Sequence, residues 1–80
     1  MKKENGFNLI KRVGDNYEQC TYYEYKGIIV VEEESWYDDH TAQRITLYKS
    51  MEDAQNYKEI AHKCYCYSEE RVLEFVNSVL

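Results

Sequence analysis

Residues Ile28 to Asp39 read IIVVEEESWYDD, and the way this stretch sits decides the fold. Ile28, Ile29, Val30 and Val31 are β-branched, stiff about χ1 and suited to a pleated surface. Four in a row predict a strand with both faces at least partly covered. Glu32, Glu33 and Glu34 cannot follow them into an apolar layer, because adjacent carboxylates repel one another and each would lose its hydration. The strand is therefore expected to run out of the core into water. Trp36 and Tyr37 continue it, and Asp38-Asp39 supply turn chemistry before the chain returns as another strand. An ordinary solvated strand end reads the same way, since charge runs are commonly solvated faces.

On the N-terminal side, Lys26-Gly27 separates this strand from Tyr17–Tyr25, a run rich in tyrosine and threonine with no helical stripe. A glycine able to take positive φ between two β-rich runs is what a tight hairpin needs. A two-residue loop places Tyr23 opposite Val30, Thr21 opposite Glu32, Tyr22 opposite Val31 and Cys20 opposite Glu33. On the C-terminal side, residues 38–41 are expected to turn. Ala42–Lys49 then forms a fourth strand, antiparallel to the third, with Ile45 and Leu47 alternating against Arg44, Thr46 and Tyr48. Arg44 then falls opposite part of the glutamate run and partly offsets its charge. Farther out, Phe7–Val13 is read as an edge strand with Phe7, Leu9 and Val13 on one alternating set, followed by a Gly14-Asp15-Asn16 turn.

Ser50 changes the period. Ser50-Met51-Glu52-Asp53 combines an N-cap serine with an acidic residue three positions on. Ala54, Tyr57, Ala61 and Cys64, with Ile60 beside them, then share one helical face. Ser68-Glu69-Glu70 repeats the start signal ahead of a more apolar stripe containing Val72, Leu73, Phe75, Val76, Val79 and Leu80. The joint at Cys64–Tyr67 is open to a bend, a short strand or a continuation of the first helix. The expected architecture is α+β: one domain over residues 1–80, a four-stranded antiparallel sheet followed by two C-terminal helices packed on one face.

With 80 residues the chain has room for one core, and its apolar and charged fractions are those of a folded protein. The net charge of −5 is unevenly placed. Residues 1–14 carry Lys2, Lys3, Lys11 and Arg12 against Glu4 alone, whereas residues 15–39 carry eight acidic side chains against Lys26. That balance argues against direct nucleic-acid binding, which needs clustered Lys and Arg, and favours a basic partner. Glu4, Asn5 and Gly6 stand where a signal peptide would need an apolar core, and no window is long enough to span a membrane. A cytoplasmic location is expected, with the three cysteines as thiols.

Sites of chemistry are sparse. His62, Cys64 and Cys66 are possible soft ligands, but their spacing departs from that of structural zinc, and Cys64 on an apolar stripe reads as a core residue. Asp38-Asp39-His40-Thr41 lacks a matched acid, base or oxyanion donor, and a solvated turn accounts for it. Pairing Cys20 with a distant histidine has no local support. The glycines Gly6, Gly14 and Gly27 form no phosphate-binding loop. The expectation is therefore no catalytic residue, no metal and no cofactor. The candidate partner-binding residues are Glu32, Glu33, Glu34, Trp36, Tyr37, Asp38 and Asp39, an aromatic anchor within an acidic rim. Trp36 also reads as core beneath the first helix.

In size, acidity and strand-then-helix order the chain resembles small phage or mobile-element inhibitors such as anti-CRISPR proteins. That resemblance lies in the general plan and involves no specific motif. It adds to the reading that the acidic, aromatic hairpin region itself suggests, a non-catalytic inhibitor that occupies a basic, nucleic-acid-binding site of a partner protein, with carboxylates along a twisted strand imitating a phosphate backbone, and it transfers no residue roles. A second reading, from the tyrosines and the single tryptophan, is a homo-oligomeric module that sequesters a small ligand or nucleotide.

Overall fold

The computed structural model describes residues 1–37 and 40–80. Asp38 and Asp39, both expected at the partner surface, lie outside the described residues. After a 3-10 turn over Lys3–Asn5 come β1 (Asn8–Gly14), β2 (Glu18–Tyr25), β3 (Ile28–Tyr37) and β4 (His40–Tyr48). These are followed by α1 (Met51–Gln55), β5 (Ala61–Cys64) and α2 (Glu69–Val79). The strands form one antiparallel sheet in the order β1-β2-β3-β4-β5, so the fold is α+β with a C-terminal helix.

The central hairpin follows the local chemistry. Lys26 and Gly27 both take positive φ, 48° and 84°, as a two-residue turn matched to strand twist requires. The register is Tyr23↔Val30, Tyr22↔Val31, Thr21↔Glu32 and Cys20↔Glu33, as the sequence predicts. β4 pairs with β3 from Ile29↔Tyr48 to Tyr37↔His40, so it begins before Ala42 and sets Glu33 opposite Arg44.

Two expectations fail. The sheet has five strands among the described residues, and the helices do not share a face. α1 stops after five residues. Ser50 caps its start by accepting from Asp53 N–H at 3.2 Å. Its end closes through Lys58 N–H to Asp53 O at 2.9 Å and Tyr57 N–H to Ala54 O at 3.3 Å, with Tyr57 left-handed at φ 56°. This paired closure terminates a helix firmly, here around a tyrosine where glycine is usual. The chain then returns along β4, beginning with Ile60 N–H to Leu47 O at 2.7 Å, and Ala61–Cys64 becomes β5. An unpaired β4 edge beside the buried Ile45 and Leu47 would leave backbone groups unsatisfied, and β5 satisfies them.

Alternation assigns the faces. On the front, α2 lays Val72 and Val76 over Tyr25, Val30, Ile45 and Leu47. Each fully buried aliphatic side chain there contributes roughly 1.5–3 kcal/mol. Phe7 completes this layer, stacked on Tyr25 at 4.7 Å between centroids. On the back, α1 places Ala54 against Ile29, Val31 and Tyr48, in a separate and smaller cluster. β1 is an edge strand exposed at every residue. Its phase slips between Leu9 and Lys11, so Leu9 stays opposite the front-facing Tyr23 while Val13 falls opposite the back-facing Cys20; of Phe7, Leu9 and Val13 only Phe7 is buried. Ser68 caps α2 by accepting from Arg71 N–H at 3.2 Å. Glu69, in the first turn, binds the N-terminal segment through Lys2 N–H at 2.7 Å and the side-chain amide of Asn5.

Candidate functional site

The acidic run on β3 does not form one surface. Side chains alternate along a strand, so Glu32 and Glu34 point to the front and Glu33 to the back. Glu33 is moreover engaged: its Oε2 accepts from Arg44 Nε at 2.9 Å, and both side chains are partly exposed. The expectation of three glutamates gathered into one uncovered zone is corrected accordingly. Strand geometry divides them, and the chain's own arginine offsets the middle one.

On the front, Glu32 is half-buried beyond the N-terminal end of α2. Burial pushes its carboxyl above the ordinary range, with a further push from Glu34. The amino terminus, Gln43 and Arg12 oppose that shift. Gln43 is buried; its Oε1 accepts from Cys66 N–H at 2.7 Å, and its side-chain amide faces the Glu32 carboxyl. Trp36 lies at the far end of β3, 39% exposed. Its backbone N–H donates to Tyr17 O at 2.7 Å. It is not core under α1, which packs near the opposite end of the strand on the other face. Tyr37 is the last described residue of β3 and pairs with His40.

On the back, the part of the sheet that α1 leaves uncovered contains an open hollow of about 390 Å³. Two rows of side chains create it. The inner row runs Cys20, Glu33, Arg44, Cys64 across β2 to β5, and the outer row runs Glu18, Ser35, Ala42 across β2 to β4. Ser35 and Ala42 are short and form the floor. Glu18 lies on one side. On the other is Tyr65, whose backbone turns away from β5 at φ 62° and whose N–H donates to Gln43 O at 2.8 Å. Glu34 and Gln43 also border the space. Sequence reasoning located Glu33, Glu34 and the facing Arg44 but missed Glu18, Ser35, Ala42 and Tyr65. The Ser35↔Ala42 pairing departs from the expected hairpin, in which a turn over residues 38–41 sets Ala42 opposite Tyr37.

The Cys20 thiol of the inner row is not poised for nucleophilic attack. Burial raises the Cys20 pKa, and Glu33 and Glu18 raise it further against a smaller opposing effect of Arg44. A thiol with a raised pKa holds little thiolate near neutrality. His62 and Cys64 share the back face of β5, whereas Cys66 is buried in the front core. His62 Nδ1 is 2.5 Å from Glu59 Oε2. Among the described residues no three His, Cys, Asp or Glu side chains converge as metal ligands, and no helix is long and apolar enough to cross a membrane. Compared with protein-family models, with curated proteins and with solved structures, the chain matches none.

Proposed function

We propose that this chain is a non-catalytic, protein-binding inhibitor that presses the acidic end of its sheet onto a basic, nucleic-acid-binding site of a partner. One observation carries the reading: the end of the sheet beyond both helices is acidic on both faces. Glu32 and Glu34 stand on the front near the exposed Trp36, and Glu18 and Glu33 stand on the back. Among the described residues, the positive groups near them include the amino terminus by Glu32, Arg44, tied to Glu33, and Arg12, whose Nε donates to Thr21 Oγ1 at 3.1 Å. A strand end with carboxylates on both sides can enter a basic groove and meet positive charge on either wall, while Trp36 supplies an apolar anchor.

The test is capture of a partner from cytosol at low and high salt, followed by affinity measurements on Glu34→Lys, Glu18→Lys and Trp36→Ala. None of these side chains is in either core. Each charge reversal is expected to weaken binding about tenfold or more and to flatten its salt dependence. Trp36→Ala is expected to cost about 2 kcal/mol of binding with the salt dependence retained. Unchanged affinity and unchanged salt dependence in both reversals would sink the reading.

A further inference from the structure

We infer that Asn5-Gly6 is a deamidation site kept silent by a latch, and that its conversion to aspartate or isoaspartate frees the N-terminal segment from α2. It is the one asparagine-glycine pair in the sequence. Deamidation of such a pair is intramolecular. The Gly6 nitrogen attacks Asn5 Cγ, a C–N bond forms as the Cγ–Nδ2 bond breaks, and the proton from the Gly6 nitrogen leaves with the side-chain nitrogen as ammonia. Water then opens the cyclic imide at either carbonyl, leaving an aspartate or isoaspartate at position 5. Glycine speeds the first step because no Cβ shields its nitrogen or restricts its backbone. The turn itself demands that glycine: Gly6 has φ 97°, and a Cβ there would come within 3.3 Å of the Tyr25 ring. The reactive pair therefore comes with the fold.

Three restraints oppose the reaction while the segment is docked. Gly6 N–H donates to Lys3 O at 2.9 Å, so the attacking nitrogen is engaged. Asn5 ends the 3-10 turn, whose ψ of about −20 to −30° holds the backbone away from the geometry that ring closure requires. The Asn5 side-chain amide, which must depart as ammonia, donates to Glu69 Oε2, while Glu69 Oε1 accepts from Lys2 N–H at 2.7 Å. One carboxylate thus fastens both ends of the turn to the start of α2, and the restraints are lost together when the segment lifts. The product cannot remake the latch. The donor nitrogen has gone, and a new carboxylate faces that of Glu69 where a hydrogen bond stood. An isoaspartate also lengthens the main chain by a methylene just ahead of Phe7, whose ring must stack on Tyr25. A transient opening is thereby made permanent. It uncovers the front core where Met1 packs and where its amino group donates to Tyr23 Oη at 2.6 Å.

The test follows deamidation of the full chain at mildly alkaline pH, with peptide mapping to separate position 5 from Asn77-Ser78 within α2. Asn5 is expected to react roughly tenfold or more slowly in buffer than in the urea-unfolded chain, because only the open population reacts. Glu69→Ala removes two hydrogen bonds to a carboxylate. It is expected to raise the rate in buffer about tenfold and to leave the rate in urea unchanged. Hydrogen exchange of the Gly6 amide reads the consequence, and should be several-fold faster in Asn5→Asp than in the parent. Equal rates in buffer and urea overturn the latch, as does a rate in buffer indifferent to Glu69→Ala. Gly6 protection in Asn5→Asp as high as in the parent overturns the release.

Discussion

On the front of the sheet an eleven-residue helix seals a core that includes Phe7, Val30 and Leu47, whereas on the back a five-residue helix covers only Ile29, Val31, Tyr48 and their neighbours. The two faces share the same strands, so the difference comes from where each helix stops. α2 is long enough to bury a full stripe. α1 is closed off by the left-handed Tyr57, and the chain goes on to pair with β4. The front therefore supplies most of the stability, and the back retains unfilled space. Adjacent glutamates show the contrast at one residue's distance: Glu32 is half-buried with a raised pKa, while Glu33 is in a partly exposed ion pair.

Four experiments would break or sharpen that contrast. Leu47→Ala removes a fully buried front-face side chain and is expected to cost roughly 2–5 kcal/mol in urea unfolding. Ala54→Gly, on the back, is expected to cost only about 1 kcal/mol, mainly through helix propensity. A back-face loss equal to the front-face one would refute the division of labour.

Glu32→Gln is expected to stabilise the fold at neutral pH by up to about 1 kcal/mol, by removing the desolvation of a half-buried charge. The sign follows from the raised folded-state pKa. The native state holds its proton to higher pH than the unfolded chain, so stability falls as pH rises from the ordinary glutamate value through the folded value. Above that window the penalty is constant, and below it the penalty disappears. The advantage of the variant over the parent is therefore expected at neutral pH and absent in acid. An advantage that persists below the ordinary glutamate pKa would contradict the cause.

Glu33 and Arg44 are expected to show a coupling of only about 0.2–1 kcal/mol in a double-mutant cycle, weakened by salt, because both side chains are partly exposed. A coupling several times larger would mean that the back is sealed in solution by something beyond α1.

The hairpin around Lys26-Gly27 was legible in the sequence down to its register, because two turn residues and two β-rich runs fix every opposite pair. The start of α2 was legible for a similar reason, a serine cap followed by acidic residues and an apolar stripe. β5 was not. Ala61-His62-Lys63-Cys64 is a short edge strand whose residues are half-buried or exposed, so it carries no alternating apolar signal. What makes it a strand is the demand of the β4 edge for hydrogen bonds, a tertiary requirement that overrode the helical spacing of Ala54, Tyr57, Ala61 and Cys64. The acidic character of β3 was readable. Its division between two faces follows from the two-residue alternation of a strand, which sends Glu33 to the face opposite that of Glu32 and Glu34. The hollow depended on Tyr65, whose position is set by the turn after β5.

Each strand bonds to its neighbour in sequence, so the sheet assembles by closing short loops, a cheap sequence of steps that favours rapid folding. The distant partners are those of α2 with the N-terminal segment, where Lys2 and Glu69 meet across 67 positions. That docking is the natural late event. Weakening it with Val76→Ala is expected to quicken unfolding while leaving the refolding rate almost unchanged.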